Sequence, residues 1–134
     1  MIRYLLDTNI CIYLIRKKPL VVIDRIRRKQ ISQIGISSIT LSELVFGIAK
    51  SSRPEQNEMA LAQFLAPLDI LPYDSEAARH YGRLRFYLEK EGTPIGPLDT
   101  LIAAHALSLR CILVTNNEKE FQRVPALLIE NWTR

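Results

Sequence analysis

Four acidic side chains stand at points of the sequence where a carboxylate can take part in chemistry. Asp7 follows a short apolar run that begins at Ile2 and precedes a helical pattern, so it marks the carboxyl end of a predicted strand. Glu43 follows a second predicted strand, Asp99 lies in the first turn of a predicted helix, and Glu120 follows a late apolar strand. In open α/β sheets, ligands bind at the carboxyl ends of the strands. We therefore expect these acids to meet in one crevice.

A set of carboxylates gathered in one place indicates a bound cation. Like charges repel, so such a cluster is costly unless a positive charge neutralises it. No Cys or His lies beside these acids, and hard oxygen ligands alone favour Mg²⁺, with Mn²⁺ as the alternative. One or two such ions would lower the pKa of a water, orient its attack and neutralise charge on a phosphate. In a mildly basic protein this pattern indicates hydrolysis of a phosphodiester.

Each acid also has a structural interpretation. Asp7 is a favoured N-cap residue, because its oxygens can accept the first unpaired N–H groups of a helix. Thr40 and Glu43 have the spacing of a capping box, and Asp99 would favour the dipole of its helix. Glu120, with its neighbour Glu118, fits a solvated surface. The four acids favour a catalytic site only as a set.

The charge balance favours a polyanionic partner. The 134 residues, which we assign to a single domain (1–134), contain 18 Lys and Arg against 14 Asp and Glu, a net charge of +4. The cations concentrate in an early basic segment, residues 16–18 and 25–29, and in a later group formed by Arg79, Arg83 and Arg85. Each group fits either a solvated helix face or a nucleic-acid contact.

The sequence predicts a cytoplasmic protein without a membrane partner. No apolar run approaches the roughly 20 residues of a membrane-spanning helix, and the first residues enter a strand without a signal-peptide pattern. Cys11 and Cys111 are isolated in apolar segments, which fits neither a redox pair nor a zinc site.

Strands alternate with helices along the chain, which predicts a three-layer α/β domain with a mainly parallel central sheet flanked by helices. The strands are predicted near residues 2–6, 34–37, 69–73, 111–115 and 126–129, with helices over 9–16, 19–29, 41–50, 54–65, 75–90, 98–109 and a short one before 121. Pro72 favours an edge position for the third strand. His105 is predicted to pack on another helix face than Asp99, and Trp132 to close the core or a dimer contact.

Four ordered blocks of the chain resemble the motifs of PIN-domain ribonucleases, and most closely those of VapC toxins from bacterial VapBC toxin–antitoxin modules. The blocks are residues 6–9 (LDTN), 37–44 (SSITLSEL), 96–104 (GPLDTLIAA) and 114–117 (VTNN), the last followed by Glu120 and Phe121. The resemblance extends from near residue 1 to Trp132. It implies a magnesium-dependent endoribonuclease that cuts structured RNA, often transfer RNA, and so arrests translation.

The resemblance also implies partners. A VapB antitoxin would neutralise the protein by placing its C-terminal segment over the acidic site. The complex would bind operator DNA only through the antitoxin. A homodimer and a toxin–antitoxin hetero-oligomer are the expected assemblies.

Site residues are carried over from the matching positions. Asp7 and Asp99 are implied as the main metal ligands, with Glu43 and Glu120 completing the acidic set. The residues implied to orient carboxylates or water, with turn and cap chemistry as the alternative role, are Thr8, Asn9, Thr115 and Asn116. The fourth acid is commonly an aspartate in the wider family, whereas the candidate here is Glu120. Glu118 is the alternative candidate for this fourth position.

Two other functions remain open from the residues. An aspartate-dependent phosphohydrolase would phosphorylate Asp7, but this class requires a second acid two residues on, where the chain has Asn9. A non-catalytic basic module that binds RNA or a partner would use the acids only as helix caps, and the chain lacks the aromatic-rich platform of such surfaces.

Overall fold

The computed structural model describes residues 1–134 and contains a five-stranded sheet in which every neighbouring pair of strands is parallel. The strand order is β3-β2-β1-β4-β5, so β1 is central and β3 lies at an edge. The strands are β1 (Tyr4–Leu6), β2 (Ile34–Ser37), β3 (Asp69–Leu71), β4 (Ile112–Val114) and β5 (Leu128–Glu130). The mainly parallel sheet and the edge position of the third strand are thus confirmed.

Seven α-helices cover the two faces of the sheet. They are α1 (Thr8–Arg16), α2 (Leu20–Arg27), α3 (Ser38–Ala49), α4 (Pro54–Leu65), α5 (Ser75–Lys90), α6 (Pro97–Leu109) and α7 (Glu118–Phe121), with one 3₁₀ turn at Ile31–Gln33. None of them combines the length and the apolar character that crossing a membrane requires.

Two apolar clusters separated by the sheet form the core. Because successive side chains of a strand point to opposite faces, Tyr4 and Leu6 pack with α1 to α4, whereas Leu5 packs with α5 and α6. Trp132 is fully buried in the first cluster, with its ring centroid 5.5 Å from that of Tyr4. This arrangement confirms the three layers and the core role of Trp132.

The third helix starts earlier than the sequence predicted. Ser37 is its N-cap, because the Ser37 hydroxyl oxygen accepts a 3.0 Å hydrogen bond from the N–H of Ile39. The capping box proposed for Thr40 and Glu43 is therefore wrong, since Thr40 lies inside the helix. The last strand begins at Leu128 instead of 126, because Ala126 has a positive φ of 67° that is incompatible with an extended chain.

The parallel sheet brings the carboxyl ends of β1, β2 and β4 to one edge, with Leu6 opposite Val114. The chain passes from these ends to α1, α3 and the segment before α7. Because β2 is parallel to β1, the chain returns to the opposite edge before β2 begins. The nine residues of α1 span about 13 Å, which carries the early basic segment away from the carboxyl edge.

Candidate active site

Asp7 lies directly after the central strand and caps α1, so its position is fixed by both elements. Its Oδ1 accepts a 2.8 Å hydrogen bond from the N–H of Thr8, and its Oδ2 accepts one of 2.8 Å from the Thr115 hydroxyl. The residue is only 5% exposed. The cap and the candidate ligand are therefore the same side chain, and its carboxylate is held in one orientation.

The surroundings of Asp7 disfavour its negative charge. Burial raises the pKa of the Asp7 carboxyl above its usual value, and the charges of Glu43 and Glu120 raise it further. The hydrogen bonds from Thr115 and Thr8 act in the opposite direction without cancelling the rise. A cation beside Asp7 would remove this electrostatic cost.

Thr8 connects the first acid to the second. Its backbone N–H binds Asp7, and its hydroxyl donates a 2.7 Å hydrogen bond to Oε1 of Glu43 on α3. Residues 35 positions apart in the chain are thereby held in a fixed relation. This contact places Glu43 at the same edge of the sheet as Asp7.

Asp99 projects from the first turn of α6, which starts at Pro97. Burial, followed by the charges of Asp7 and Glu120, raises the pKa of the Asp99 carboxyl to about 7. The charge of Glu43 raises it further, so Asp99 interacts with all three of the other acids.

Glu120 on α7 accepts two N–H groups. Its Oε1 is 2.6 Å from the N–H of Gly96, and its Oε2 accepts a 2.9 Å hydrogen bond from the side-chain amide of Asn117. These contacts, the Gly96 N–H above all, lower the pKa of Glu120, and the neighbouring carboxyl of Asp99 lowers it further. Of these two neighbouring carboxyls, Asp99 is therefore the one that binds a proton more readily.

Glu118, the rival of Glu120, lies outside the acid cluster. Its side chain accepts a 3.0 Å hydrogen bond from Asn131 and pairs with the Arg134 guanidinium at 2.8 Å. The Asn131 contact is the main reason that the pKa of Glu118 is lowered. Glu118 thus stabilises the C-terminal segment, and the acid cluster consists of Asp7, Glu43, Asp99 and Glu120.

The four predicted supporting residues separate into two pairs. Thr8 and Thr115 bind acids of the cluster directly. Asn9 is exposed, and its side chain makes no hydrogen bond to an acid. Asn116 donates to the Tyr13 hydroxyl at 2.9 Å, and its buried carbonyl oxygen has no partner. The structure therefore shows no hydrogen bond from Asn9 or Asn116 to the cluster.

Two residues that hold Glu120 were not identified from the sequence. Asn117 binds Glu120 and also donates its backbone N–H to the Thr115 hydroxyl at 3.0 Å, so it joins the supports of two acids. Gly96 contributes its N–H. The position of Asn117, three residues before Glu120, was an available signal, because residues so spaced are neighbours in a helical turn.

The histidines and the basic groups lie outside the cluster. His105 is 1% exposed and lies 2.8 Å from the Ser37 hydroxyl through Nδ1, which confirms its packing role. In the early basic segment, Arg25 donates to the carbonyl of Arg134, and the Lys29 amine lies 5.1 Å from the centre of the Tyr4 ring. Arg79 and Arg85 are paired with glutamates on α5.

The chemistry of the cluster fits a magnesium ion held by few protein ligands. No group of three or more Asp, Glu, His or Cys side chains is arranged as a complete ligand set. Magnesium usually keeps several waters and binds through one or two carboxylates. Burial and neighbouring charges raise the pKa of both Asp7 and Asp99, and a cation would offset this cost, so these two carboxylates fit that requirement.

Comparisons with known proteins show what the chain is similar to. The family model of the PIN domain matches residues 4–127. The tRNA(fMet)-specific endonuclease VapC of Shigella flexneri is 45% identical over 133 residues, which are 99% of this chain and 100% of the relative.

Solved structures give the same result. The structure of DNA-bound VapBC from Salmonella typhimurium matches with a TM-score of 0.93 and 45% identity, covering 98% of this chain and 99% of the other. VapBC2 from Rickettsia felis bound to a DNA fragment from their promoter matches with a TM-score of 0.90 and 44% identity, with the same coverage.

Proposed function

The chain belongs to the PIN-domain family and to its VapC ribonucleases, and from this premise we propose that it is a magnesium-dependent endoribonuclease toxin that cuts structured RNA, transfer RNA in particular. The convergence of Asp7, Glu43, Asp99 and Glu120 at the carboxyl end of the central strand is the observation that carries this proposal. The name of the Shigella flexneri relative, a tRNA(fMet)-specific endonuclease, supports transfer RNA as the substrate class.

Asp7 and Asp99 are the residues that we assign to the metal ion. A divalent ion bound there would lower the pKa of the attacking water and neutralise charge that builds on the phosphate. Thr115 and the N–H of Thr8 keep the Asp7 carboxylate oriented, a supporting role that metal sites generally need. Asp99 must lose its proton to bind the ion. Glu120 lies beside Asp99 and accepts hydrogen bonds that favour the ionised form of Glu120.

We also assign the expected partners to this chain. A VapB-like antitoxin would cover the acid cluster and carry the contact with operator DNA. Two similar solved structures are VapBC complexes bound to DNA, one of them to a promoter fragment, which supports an assembly that binds operator DNA. A homodimer of the toxin within a toxin–antitoxin hetero-oligomer is the proposed assembly. An antitoxin that neutralises the site must present positive charge to it, because the cluster holds four acids in one place.

Digestion of total transfer RNA by the antitoxin-free protein tests the proposed function. We expect discrete fragments with Mg²⁺ or Mn²⁺, no fragments with a chelator, and recovery when excess Mg²⁺ is restored. Sequencing of the fragment ends identifies the bond that is cut. Fragments that persist in chelator would contradict metal dependence, and intact RNA under every condition with folded protein would contradict the ribonuclease. An Asp7→Asn preparation made in parallel excludes a contaminating nuclease.

Glu120→Gln and Glu118→Gln form a matched pair that tests the fourth acid. We expect Glu120→Gln to lower kcat/KM by about 10- to 100-fold, because it removes the negative charge beside Asp99. Glu118→Gln should change kcat/KM by less than about twofold, since its partners are Asn131 and Arg134. Initial rates of RNA cleavage measure both. A large loss in Glu118→Gln beside normal activity in Glu120→Gln would reverse the assignment.

A further inference from the structure

A small cavity lies between the C-terminal half of α5 and the segment that starts α6. Its volume is about 140 Å³, and its lining includes the apolar side chains of Leu88, Ile95 and Pro97 and the polar side chains of Tyr81, Arg85 and Glu89. Pockets for drug-sized ligands measure roughly 300–1,000 Å³. The cavity therefore fits a fragment the size of one ring system.

The cavity shares a wall with the acid cluster. Gly96, between the lining residues Ile95 and Pro97, donates its N–H to Glu120 on the side of the cluster. The carbonyl of Pro94, which also lines the cavity, accepts a 2.8 Å hydrogen bond from Arg123. The segment 94–97 is thus fixed at two points, and it links the cavity to Glu120.

The polar groups of the cavity are already oriented. Arg85 donates through Nε to Glu89 at 2.7 Å and through Nη1 to the Tyr81 hydroxyl at 3.1 Å. These contacts leave the Tyr81 O–H, further N–H groups of Arg85 and one oxygen of Glu89 for a ligand. Because Glu89 neutralises Arg85, the cavity has no excess positive charge for a phosphate, but it offers both donors and an acceptor to a neutral polar edge.

We propose that this cavity is a subsite for a single unpaired base of the RNA substrate, near the bond that is cut, and that Arg85 and Glu89 contact the edge of that base. The inference rests on the proposed ribonuclease function. A base has two apolar faces, which suit the leucine, isoleucine and proline walls, and an edge of donors and acceptors, which suits the Arg85–Glu89 pair. Proteins that recognise RNA sequence bind such splayed, unpaired bases rather than paired ones.

A second ion pair on the same helix provides a matched control. Arg79 and Glu76 are 2.7 Å apart, and the side chain of Arg79 is 61% exposed, the same value as that of Arg85. Arg79 does not line the cavity. Arg79→Gln and Arg85→Gln therefore remove the same charge from the same helix, and only the second changes the proposed subsite.

The test is an abasic scan of the RNA that the wild-type protein cuts. Each nucleotide flanking the cut is replaced in turn by an abasic one, and kcat/KM is measured for wild type, Arg79→Gln and Arg85→Gln. At one position we expect wild type and Arg79→Gln to lose about 10-fold, within the range that stacking of one base contributes. Arg85→Gln should have a lower kcat/KM than wild type on the intact RNA. An abasic nucleotide at that same position should lower the kcat/KM of Arg85→Gln little further. Glu89→Gln should shift which base is preferred there.

If the loss of kcat/KM from Arg85→Gln is the same on every abasic RNA as on the intact RNA, the subsite is overturned. Equal losses of kcat/KM in Arg85→Gln and Arg79→Gln would also overturn it, because they indicate general electrostatics. These results leave the ribonuclease itself intact. If the wild-type protein cuts no RNA, the proposed function fails, and the subsite is tested by fluorescence anisotropy of binding to a labelled transfer RNA whose unpaired loop nucleotides are made abasic one at a time. A single sensitive position that Arg85→Gln erases would support the subsite, and uniform binding or no binding would overturn it.

Discussion

Asp7→Asn is expected to lower kcat/KM for RNA cleavage by more than about 100-fold, beyond the loss that removing a supporting group of a metal site causes. Asp7 is the acid of the cluster that extends directly from the central strand, and both of its oxygens are held by hydrogen bonds. An amide at the same place keeps the shape but loses the charge that a divalent ion requires. The measurement is the initial rate of cleavage at saturating Mg²⁺.

The same variant is expected to remain folded, with a free energy of unfolding equal to or higher than that of the metal-free wild type. Asparagine is as good an N-cap as aspartate, so its oxygen can still accept the N–H of Thr8. The substitution removes a buried charge that Glu43 and Glu120 repel. Chemical denaturation in the presence of a chelator measures this free energy. Activity should therefore fall without any loss of stability.

Asp74→Asn is the matched control for Asp7→Asn. Asp74 caps α5 by accepting a 3.0 Å hydrogen bond from the N–H of Ala77, and it is not part of the acid cluster. We expect it to keep nearly normal activity. Retained cleavage in Asp7→Asn would remove Asp7 from the site and favour a module that only binds RNA. Phosphate release without RNA fragments in the wild type would instead favour the aspartate-dependent phosphohydrolase.

The local features of the site were predictable from the sequence because they depend on neighbouring residues. An apolar strand followed by Asp7, Thr8 and a helical pattern defines a strand, a cap and a helix, and the structure contains all three. The start of α3 was not predictable in the same way. Ser37 and Thr40 are both acceptable caps, and the position of β2, which continues to Ser37, decides between them.

The contacts between distant residues were beyond what the sequence could give. The hydrogen bond from Thr8 to Glu43 joins positions 35 apart, and that from Thr115 to Asp7 joins positions 108 apart. The sequence does not distinguish Asn9, Asn116 and Asn117, because asparagine is common in turns and caps. Only the packed structure shows that Asn117 binds Glu120. The cavity beside Arg85 likewise depends on how α5 packs against the start of α6.

Metal-free wild-type protein is expected to lose stability through Asp99 as the pH rises from about 4 to about 7. The pKa of Asp99 rises from an ordinary value of 3.8 to about 7 in the folded protein, so the folded state binds more protons than the unfolded state across this interval. The stabilisation from protonated Asp99 is complete below pH 4 and is lost as the pH passes 7. The raised pKa of Asp7 acts in the same direction.

Other titratable groups also change the stability with pH, so the contribution of Asp99 is measured by comparing wild type with a variant that lacks it. The lowered pKa of His105 makes stability fall as the pH drops below about 6.5, which opposes the effect of Asp99, whereas the lowered pKa of Glu120 acts below pH 4.5. We therefore expect Asp99→Asn to be more stable than wild type at pH 8 and to lose this advantage towards pH 4. Asp24→Asn, an exposed acid on α2, controls for the change in net charge.

Magnesium should reverse this order at pH 8, because an ion that binds only the folded protein stabilises it. We expect saturating Mg²⁺ to raise the melting temperature of wild type and of Asp24→Asn by about 5 °C or more, and that of Asp99→Asn by far less. At pH 5.5 the gain of the wild type should shrink, since protons compete with the ion for Asp99. Equal gains in wild type and Asp99→Asn would show that Asp99 does not bind the ion. A rise in melting temperature that does not depend on pH would show that Asp99 is already ionised in the metal-free protein. One set of melting curves can therefore contradict both the raised pKa of Asp99 and its role as a ligand.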